Sequence, residues 1–484
     1  MIARLTLSIA AAAILALGAD TDIERLAQRA RGNTPMERDL RELCDGIGGR
    51  PTGSEACKKA EQWALKKFRD AGLDNARLES FMVPNLWLGE SAEAAVLSPS
   101  PFPVRIAAAP FTASTKGMVE AAVLDGGDGS AADFAKLGAA ARGAIVLVRS
   151  KEMKTFDDLF AEYMRNGDVV EGARKAGAAA VLLQSTRPRG LLYRHPMTGN
   201  SSVVAVPAAV IAREQADRMV RLIAAGPVRM RLRIANRIGG SYPSNNVVAD
   251  IRGTEKPDEV VLLGAHLDSW DLGTGSEDNG ANCAMLLDVA RGFTELKVRP
   301  KRTIRFVLFT GEEQGMWGSA GYVAKHRSEL NQHVAVAIFD TGTGKTTGFY
   351  LNGRDQLRDA LNEAISAAGA NATAHAQDAL DGTDNFDFLL SGVPNVVAIQ
   401  DPSPYLPDYH AESDTPDHSN MDEQRNTAAI ASAVALHFAN MRERPAPRQS
   451  RDEVEKLIIR TKLDEQMRSF GQWEDWTARR RGLY

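Results

Sequence analysis

Short apolar runs alternate with helical stretches in the C-terminal half of the chain. The runs are 246–253 (NVVADIRG), 260–268 (VVLLGAHLD), 303–310 (TIRFVLFT), 333–340 (HVAVAIFD) and 395–401 (NVVAIQD). The helical stretches among them are Ala281–Phe293, Trp317–His326 and Leu357–Ala368. Continuous apolar strands separated by helices are typical of a mainly parallel sheet buried on both faces. The pattern therefore predicts an α/β domain with helices on both sides of such a sheet.

The segment from 117 to 236 has a different texture. It holds a buried strand at 143–150 (GAIVLVRS), a helix and strand within 171–185 and a strand and helix within 206–226. Residues 228–234 (VRMRLRI) alternate with period two, as a half-exposed strand does. The segment carries no cluster of His, Asp and Glu, so we interpret it as an inserted unit without its own chemistry.

The flanking segments complete the division of the chain. We predict two helices around a turn between residues 22 and 73, and we assign residues 20–116 and 237–444 to the main domain. The tail, 445–484, is charged and helical, and its apolar and aromatic side chains suit buried packing or a subunit contact.

Composition narrows the class of protein. The chain has 484 residues, 44% of them apolar and 25% charged, which is ordinary for a soluble protein of two or three domains. Its net charge is -4 and it has no long basic run, so nucleic-acid binding is not expected.

The first 19 residues differ from the rest. A short charged start precedes an apolar, Ala-rich run that ends in small residues, which is the pattern of a cleaved signal peptide. An N-terminal membrane anchor is the alternative, but a bilayer span needs roughly 20 apolar residues. We therefore expect an exported protein, periplasmic or secreted, with no membrane span after cleavage.

Three cysteines are present, and none forms a CxxC pattern. In an exported protein Cys44 and Cys57 are the candidate disulfide, closing a short loop. Cys283 lies in an apolar stretch and is expected to be a core residue.

Polar residues follow the ends of the predicted strands. They are His266, Asp268, Asp278, Glu312, Glu313, Asp340 and His410. In a parallel sheet the carboxyl ends of the strands meet at one edge, and ligands bind outside that edge. Imidazole nitrogen and carboxylate oxygen are ligands that zinc prefers. The sequence therefore predicts a zinc site at this edge.

The residues are enough for two zinc ions that share a bridging carboxylate. Asp278, on the loop after His266, is the natural bridge. His266 and Asp340 would complete one metal site, and Glu313 and His410 the other.

Two further acids have predicted roles beside the metals. Residues i and i+2 of a strand face the same way, so Asp268 can hold the ring of His266. Glu312 remains unbound and is suited to accept a proton from the attacking water and pass it to the leaving amine. These roles predict hydrolysis of an amide bond.

The same residues lie in motifs that resemble the M28 family of zinc-dependent exopeptidases. The motifs are HLDSWD with a later Asp, FTGEEQG, a strand-ending Asp and YHxxxDT, with GGRPTGSEACKKAEQW and VPNLWLGE upstream. The resemblance covers about 22–442. It implies a three-layer α/β/α domain with a mainly parallel mixed sheet, two zinc ions, and the ligands and proton acceptor named above. GAIVLV, KAGAAAVLL and VPAAVI resemble a protease-associated domain.

The resemblance also marks one departure, and three further residues are candidates for roles at the site. The group within the family that these motifs resemble most usually has Asp-Asp where this chain has Asp278 and Asn279, which puts the geometry of the loop in question. Asp414 is a candidate orienting partner of His410. His195 and Asp384 are candidate substrate contacts, although a loop histidine without such a role fits His195 equally well.

Several functions remain open after this reading. The first is an exopeptidase that cleaves dipeptides or short peptides with free termini, as a dipeptidase or carboxypeptidase. An aminopeptidase is the alternative, followed by a single-zinc acyltransferase like glutaminyl cyclase and by a non-catalytic binding relative. The family resemblance and the aromatic tail also make a homodimer possible.

Overall fold

The structure is a computed structural model that describes residues 22–482. Its helices are α1 (22–31), α2 (Met36–Cys44), α3 (Glu55–Asp70), α4 (Ala131–Leu137), α5 (Phe156–Ala176), α6 (Arg213–Ala225), α7 (Ala281–Glu295), α8 (Trp317–Lys325), α9 (Arg358–Ala367), α10 (Phe386–Leu390), α11 (Tyr405–Asp408), α12 (Met421–Asn440), α13 (Arg451–Arg460), α14 (Leu463–Ser469) and α15 (Trp473–Thr477). Its strands are β1 (Asp74–Val83), β2 (Leu86–Ser98), β3 (Phe102–Val104), β4 (Ile106–Ala108), β5 (Val119–Asp125), β6 (Ile145–Val148), β7 (Ala180–Gln184), β8 (Ala208–Ile211), β9 (Val228–Gly239), β10 (Tyr242–Ile251), β11 (Lys256–His266), β12 (Arg302–Phe309), β13 (His333–Ile338), β14 (Thr346–Tyr350) and β15 (Asn395–Gln400).

The main domain is built on a seven-stranded sheet with the order β1-β10-β12-β11-β13-β15-β14. The four strands from β12 to β15 in that order are parallel, and the flanking strands are antiparallel. One face packs against α3, α7 and α12, and the other against α8. The predicted α/β class with a mainly parallel, mixed sheet is confirmed.

The register of the parallel strands explains why distant polar residues meet. His266, the last residue of β11, is aligned with Phe309 at the end of β12. Gly264 is aligned with Ile338 at the end of β13. The residues that follow these three strands therefore emerge side by side at one edge of the sheet.

The N-terminal helices differ from the prediction in one respect. The segment predicted as a first helix is two helices, α1 and α2, because Gly32 and Pro35 interrupt it. Proline lacks the main-chain N–H that a continuing helix needs and stands at the start of α2 instead.

The inserted unit has an eight-stranded sheet with the order β3-β2-β9-β5-β6-β7-β8-β4. In β9 the side chains alternate between buried and exposed over its first seven residues, as predicted. The sheet also takes β2, β3 and β4 from upstream of residue 117. The domain boundaries of 117 and 236 stay a prediction.

The two units share apolar contacts. Trp270, on the loop after β11, is 3% exposed and packs into the core of the second sheet. Its ring lies edge-on to that of Trp87, with centroids 6.3 Å apart. A residue of the main domain therefore forms part of the core of the inserted unit.

The C-terminal tail packs onto the main domain through Trp476 and Arg481. Trp476 is 1% exposed. The guanidinium of Arg481 donates two hydrogen bonds of 2.8 Å to the carboxylate of Asp387 and one of 3.0 Å to the carbonyl oxygen of Gly315. The tail thus contacts the turn after β12.

The three cysteines are free and buried, so the Cys44–Cys57 disulfide is not formed. The two thiols point to different surroundings. The Cys44 sulfur lies 3.8 Å from the carbonyl oxygen of Gly275, whereas Cys57 lies in the first turn of α3.

The predicted signal peptide lies outside the described residues. None of the helices between residues 22 and 482 combines the length and the apolar run that a bilayer crossing requires.

Candidate metal centre

Two carboxylates from different loops meet the ring of His266. Its Nε2 atom lies 3.0 Å from Oδ1 of Asp278 and 2.9 Å from Oδ1 of Asp340. His266 and Asp278 are buried, and the side chain of Asp340 is 6% exposed. This arrangement brings together the residues predicted for one metal site.

His410 forms a matching group on the other side. Its Nε2 atom lies 2.8 Å from Oε2 of Glu313 and 3.1 Å from Oδ2 of Asp278. Its Nδ1 atom lies 2.9 Å from the carbonyl oxygen of Arg194. An Nδ1–H donor to that carbonyl leaves the lone pair of Nε2 free for a metal.

Asp278 contacts both histidines, with one carboxylate oxygen toward each. The loop that carries it is held by Asp414, whose carboxylate accepts hydrogen bonds from the main-chain N–H groups of Ser276 (2.9 Å), Glu277 (2.6 Å) and Asp278 (3.2 Å). Asp414 therefore supports the bridging loop. The prediction that it orients His410 is wrong, because the partner of that ring is a main-chain carbonyl.

The donors of this cluster fit divalent metal ions. Ligand atoms of His266, Asp278 and Glu313 lie within 4.8 Å of one another. Oδ2 of Asp278 and Oε1 of Glu313 are buried and accept no hydrogen bond from any residue between 22 and 482. Burial, opposed by His410, raises the pKa of Glu313 to about 7. A buried excess of carboxylates is unfavourable unless cations neutralise it, and imidazole with carboxylate is a donor set for zinc.

Glu312 stands beside the cluster without joining either group. Its Oε2 atom lies 4.0 Å from Nε2 of His266. Burial raises the pKa of Glu312 well above its usual range, and the nearby Asp340 and Glu313 raise it further. A carboxyl group whose pKa is raised toward neutrality is suited to exchange a proton during catalysis.

Asp268 holds His266 in a different way from the one predicted. The Nδ1 atom of His266 lies 3.0 Å from the carbonyl oxygen of Asp268 but 3.7 Å from its carboxylate. The carboxylate accepts a 2.7 Å hydrogen bond from Thr52, and Thr52 accepts one of 2.8 Å from the main chain of Gly311. The main chain of Asp268 therefore orients the ring, while its side chain links β11 to the turn after β12.

Asn279 supports the loop where the family resemblance places an Asp. Its side-chain N–H donates a 2.9 Å hydrogen bond to the carbonyl oxygen of Phe339, and its side-chain oxygen accepts one of 2.7 Å from Asn282. An ionised Asp could make only the second of these bonds.

Arg50 is a supporting residue to which the sequence reading assigned no role. Its buried guanidinium donates hydrogen bonds to the carbonyl oxygens of Leu267, Thr274 (2.7 Å) and Gly275 (2.8 Å). It therefore holds both ends of the loop between His266 and Asp278. The GGRPTG motif contains it, but composition alone does not reveal that its partners are main-chain carbonyls.

His195 lies close to His410 yet is fully buried. Its Nδ1 atom lies 3.1 Å from a carboxylate oxygen of Glu162, and its ring lies between those of Tyr163 and Tyr193. This environment favours a packing role, and a substrate contact by His195 stays a prediction.

Asp384 is also fully buried, just before α10. Neither of its carboxylate oxygens has a hydrogen-bond partner among the described residues. Burial raises its pKa well above the usual range, and it interacts electrostatically with His266 and Asp340. An unpaired buried carboxylate at this place can receive a cationic group.

A helix-covered sheet whose central strands end at such a cluster fits a metal-dependent hydrolase, and the comparisons with known proteins identify a metallopeptidase. The chain belongs to peptidase family M28. The profile of that family matches residues 246–435, and the profile of the PA domain matches residues 111–219. These matches confirm the resemblance drawn from the motifs.

One named relative and two solved structures are similar to the chain. Carboxypeptidase Q from Mus musculus is 30% identical over 410 residues, which cover 83% of this chain and 85% of the relative. The peptidase M28 precursor from Shewanella amazonensis SB2B has a TM-score of 0.79 and 29% identity, over 89% of this chain and 99% of that one. A zinc aminopeptidase from Bacillus subtilis shares the fold, with a TM-score of 0.68 and 20% identity over 88% of this chain and 98% of its own.

Proposed function

We propose that this metallopeptidase is a two-zinc exopeptidase that cleaves dipeptides or short peptides. The observation that carries the proposal is the position of Asp278, which offers one oxygen to the His266 group and the other to the His410 group. His266, Asp278 and Asp340 would hold one ion, and Asp278, Glu313 and His410 the other.

Zinc ions in these positions would polarise the scissile carbonyl and make a water molecule acidic enough to attack it near neutral pH. Glu312 would take the proton from that water as it attacks the carbonyl carbon. The same carboxyl would then give the proton to the leaving nitrogen, so that the C–N bond breaks and Glu312 returns to its starting state.

Recognition of a free substrate terminus follows from the charges of the described site. Asp384 supplies a buried carboxylate without a partner, which would favour a free ammonium group. The buried guanidiniums of Arg50 and Arg194 are engaged with carbonyl oxygens and with Asp271, respectively. This charge pattern supports substrates with a free amino terminus, such as an unblocked dipeptide.

Different observations support the leading function and its alternatives. The dipeptidase and carboxypeptidase reading rests on the likeness to carboxypeptidase Q, and the aminopeptidase reading on Asp384 and the fold shared with the zinc aminopeptidase. The single-zinc acyltransferase and the non-catalytic relative are disfavoured because both metal groups have their donors. Export to the periplasm or medium and homodimer formation are further proposals. Trp476 is buried within the chain, which favours the packing role expected of the aromatic side chains of the tail.

Metal analysis and three substrates test the proposal. We expect about two zinc ions per chain, loss of activity with a chelator and recovery with zinc. Ala-Ala should be cleaved, and an N-blocked dipeptide should not. One zinc per chain would overturn the two-metal mechanism, and cleavage of an aminoacyl-anilide in preference to Ala-Ala would favour the aminopeptidase.

A further inference from the structure

We infer that Arg194, in the inserted unit, is a positioning residue for the metal ligand His410. The inference rests on the proposed function, because it assigns His410 to a metal. It makes the inserted unit a working part of the centre, through the residue that directly precedes His195 in the sequence.

The main chain of Arg194 makes a reciprocal contact with His410. The His410 ring donates from Nδ1 to the Arg194 carbonyl at 2.9 Å, and the Arg194 N–H donates to the His410 carbonyl at 3.1 Å. Next to this contact, Tyr193 pairs with Ala411 as an antiparallel bridge. The inserted unit therefore sets both the tautomer and the direction of the ring.

His410 needs such an outside support. Its backbone is in the left-handed region, with φ of 58°, which side-chain-bearing residues rarely adopt. It lies in the loop after α11, where no strand or helix fixes its direction. The other hydrogen-bonding neighbour of Nδ1 is the hydroxyl of Tyr163 at 3.3 Å, which also comes from the inserted unit.

The side chain of Arg194 fixes where its carbonyl stands. The guanidinium pairs with both carboxylate oxygens of Asp271 and donates a 2.6 Å hydrogen bond to the carbonyl of Ala108. It lies over the ring of Trp87, 5.5 Å from the centroid, and only 7% of the side chain is exposed. A Cβ atom at Gly89 would lie 2.6 Å from Nη2, so the guanidinium packs directly against the main chain of β2.

Asp271 closes the connection between the two metal groups. Asp271 follows Trp270 on the loop that begins after His266. It therefore connects the loop of His266 to Arg194, and Arg194 contacts His410. Arg194 carries the connection across the inserted unit to the second histidine. Its loss would leave His410 in the same loop with its ring less precisely directed.

Arg194→Met and Asp271→Asn test this role, with Arg105→Met as the matched control. Arg105 pairs with Glu412, two residues from His410, but 53% of its side chain is exposed. All three variants are compared with the full-length chain for kcat, KM, thermal unfolding and zinc release to a chelator. Cobalt absorption spectra report the geometry of the metal sites independently of turnover.

We expect Arg194→Met to lower kcat by roughly 10- to 100-fold with KM within about twofold, the range seen when supports of metal ligands are removed. One of the two zinc ions should be released about 10-fold or more faster, and the cobalt spectrum should change. Asp271→Asn should show the same pattern more weakly, and Arg105→Met should resemble the wild type. A fourth variant, the conservative Arg194→Lys, should retain part of the activity that Arg194→Met loses.

Unchanged kcat and zinc release in a folded Arg194→Met variant would overturn the inference. The inference would also be overturned if kcat fell only in proportion to the unfolding temperature while the cobalt spectrum stayed unchanged. If Arg194→Met does not fold, Asp271→Asn decides by the same criteria. Failure of the proposed function would be seen in the wild type itself, as fewer than two zinc ions or no cleavage of peptides.

Discussion

The side-chain amide of Asn279 donates a 2.9 Å hydrogen bond to the carbonyl oxygen of Phe339. Phe339 directly precedes Asp340, so the bond ties the loop of one metal ligand to the strand end of another. Asn279→Asp would replace this donor by an acceptor facing a carbonyl. We expect the variant to lose about 1–3 kcal/mol of unfolding free energy, the usual cost of an unsatisfied buried polar group.

Urea unfolding of the zinc-free and zinc-loaded protein measures that cost. Asn279→Ala is the control, because it removes the bond without adding a charge. If Asn279→Asp is as stable as the wild type, the bond to Phe339 does not support the loop.

Glu312→Gln should separate metal binding from proton transfer. We expect a folded protein with a full complement of zinc and a kcat lower by about 10²- to 10⁴-fold, the usual contribution of a general base. Glu313→Gln is the contrasting variant at the next position, and it should lose zinc as well as activity. Full turnover by Glu312→Gln, measured with Ala-Ala alongside zinc analysis, would exclude Glu312 as the proton acceptor.

Asp384→Asn should act on substrate binding. Removing the unpaired carboxylate should raise KM for an unblocked dipeptide by roughly 10-fold, the effect of about 1.4 kcal/mol lost from one ionic contact. Asp381→Asn is the matched control, since Asp381 is a buried acid of the same loop whose charge interacts with Arg481 instead. Equal effects of both variants on KM would show that Asp384 has no specific role.

The buried, neutral ring of His333 should make the stability of the fold depend on pH. Its Nδ1 donates to the carbonyl of Glu329 (3.0 Å) and its Nε2 accepts from the hydroxyl of Tyr322 (2.9 Å), which requires the neutral ring. Burial lowers the pKa of His333 to about 4, and Arg305 and His326 lower it further. The hydrogen bond to the Glu329 carbonyl and the charge of Glu329 raise it, but by less.

As the pH falls, His333 therefore takes up a proton near pH 6.5 in the unfolded chain but only near pH 4 in the folded chain. The contribution of the neutral His333 ring to the free energy of unfolding is complete above pH 6.5. It is lost as the pH falls from 6.5 to about 4, and the total loss is roughly 3 kcal/mol. His195, whose pKa burial also lowers to about 4, contributes in the same window. Denaturant unfolding between pH 7 and 4 should show a smaller pH slope for His333→Gln, and an unchanged slope would contradict the assignment.

The sequence was sufficient for the parts of the site that follow from strand ends. His266, Glu313 and Asp340 each come at or directly after a buried apolar run. Parallel strands place such residues at one edge whatever the loops do. The same logic identified the mainly parallel sheet and separated the inserted unit from the main domain.

Contacts made by main-chain atoms could not be read from residue types. The partner of His410 is a carbonyl group 216 positions away, whereas the motif around His410 favoured the carboxylate of Asp414. The ring of His266 likewise rests on the carbonyl of Asp268, since the chain turns there and carries the side chain toward Thr52. Every residue has a carbonyl, so no residue pattern marks the ones that are used.

The contact between Arg481 and the carbonyl of Gly315 has a consequence for biosynthesis. The turn that carries Glu312 and Glu313 is synthesised 166 positions before the arginine that fastens it. A growing chain has therefore made every proposed metal ligand, His410 included, while the turn is still unfastened. The contact of the tail with this turn therefore forms only after the tail has been synthesised, when the partners of the other contacts of the turn are already present.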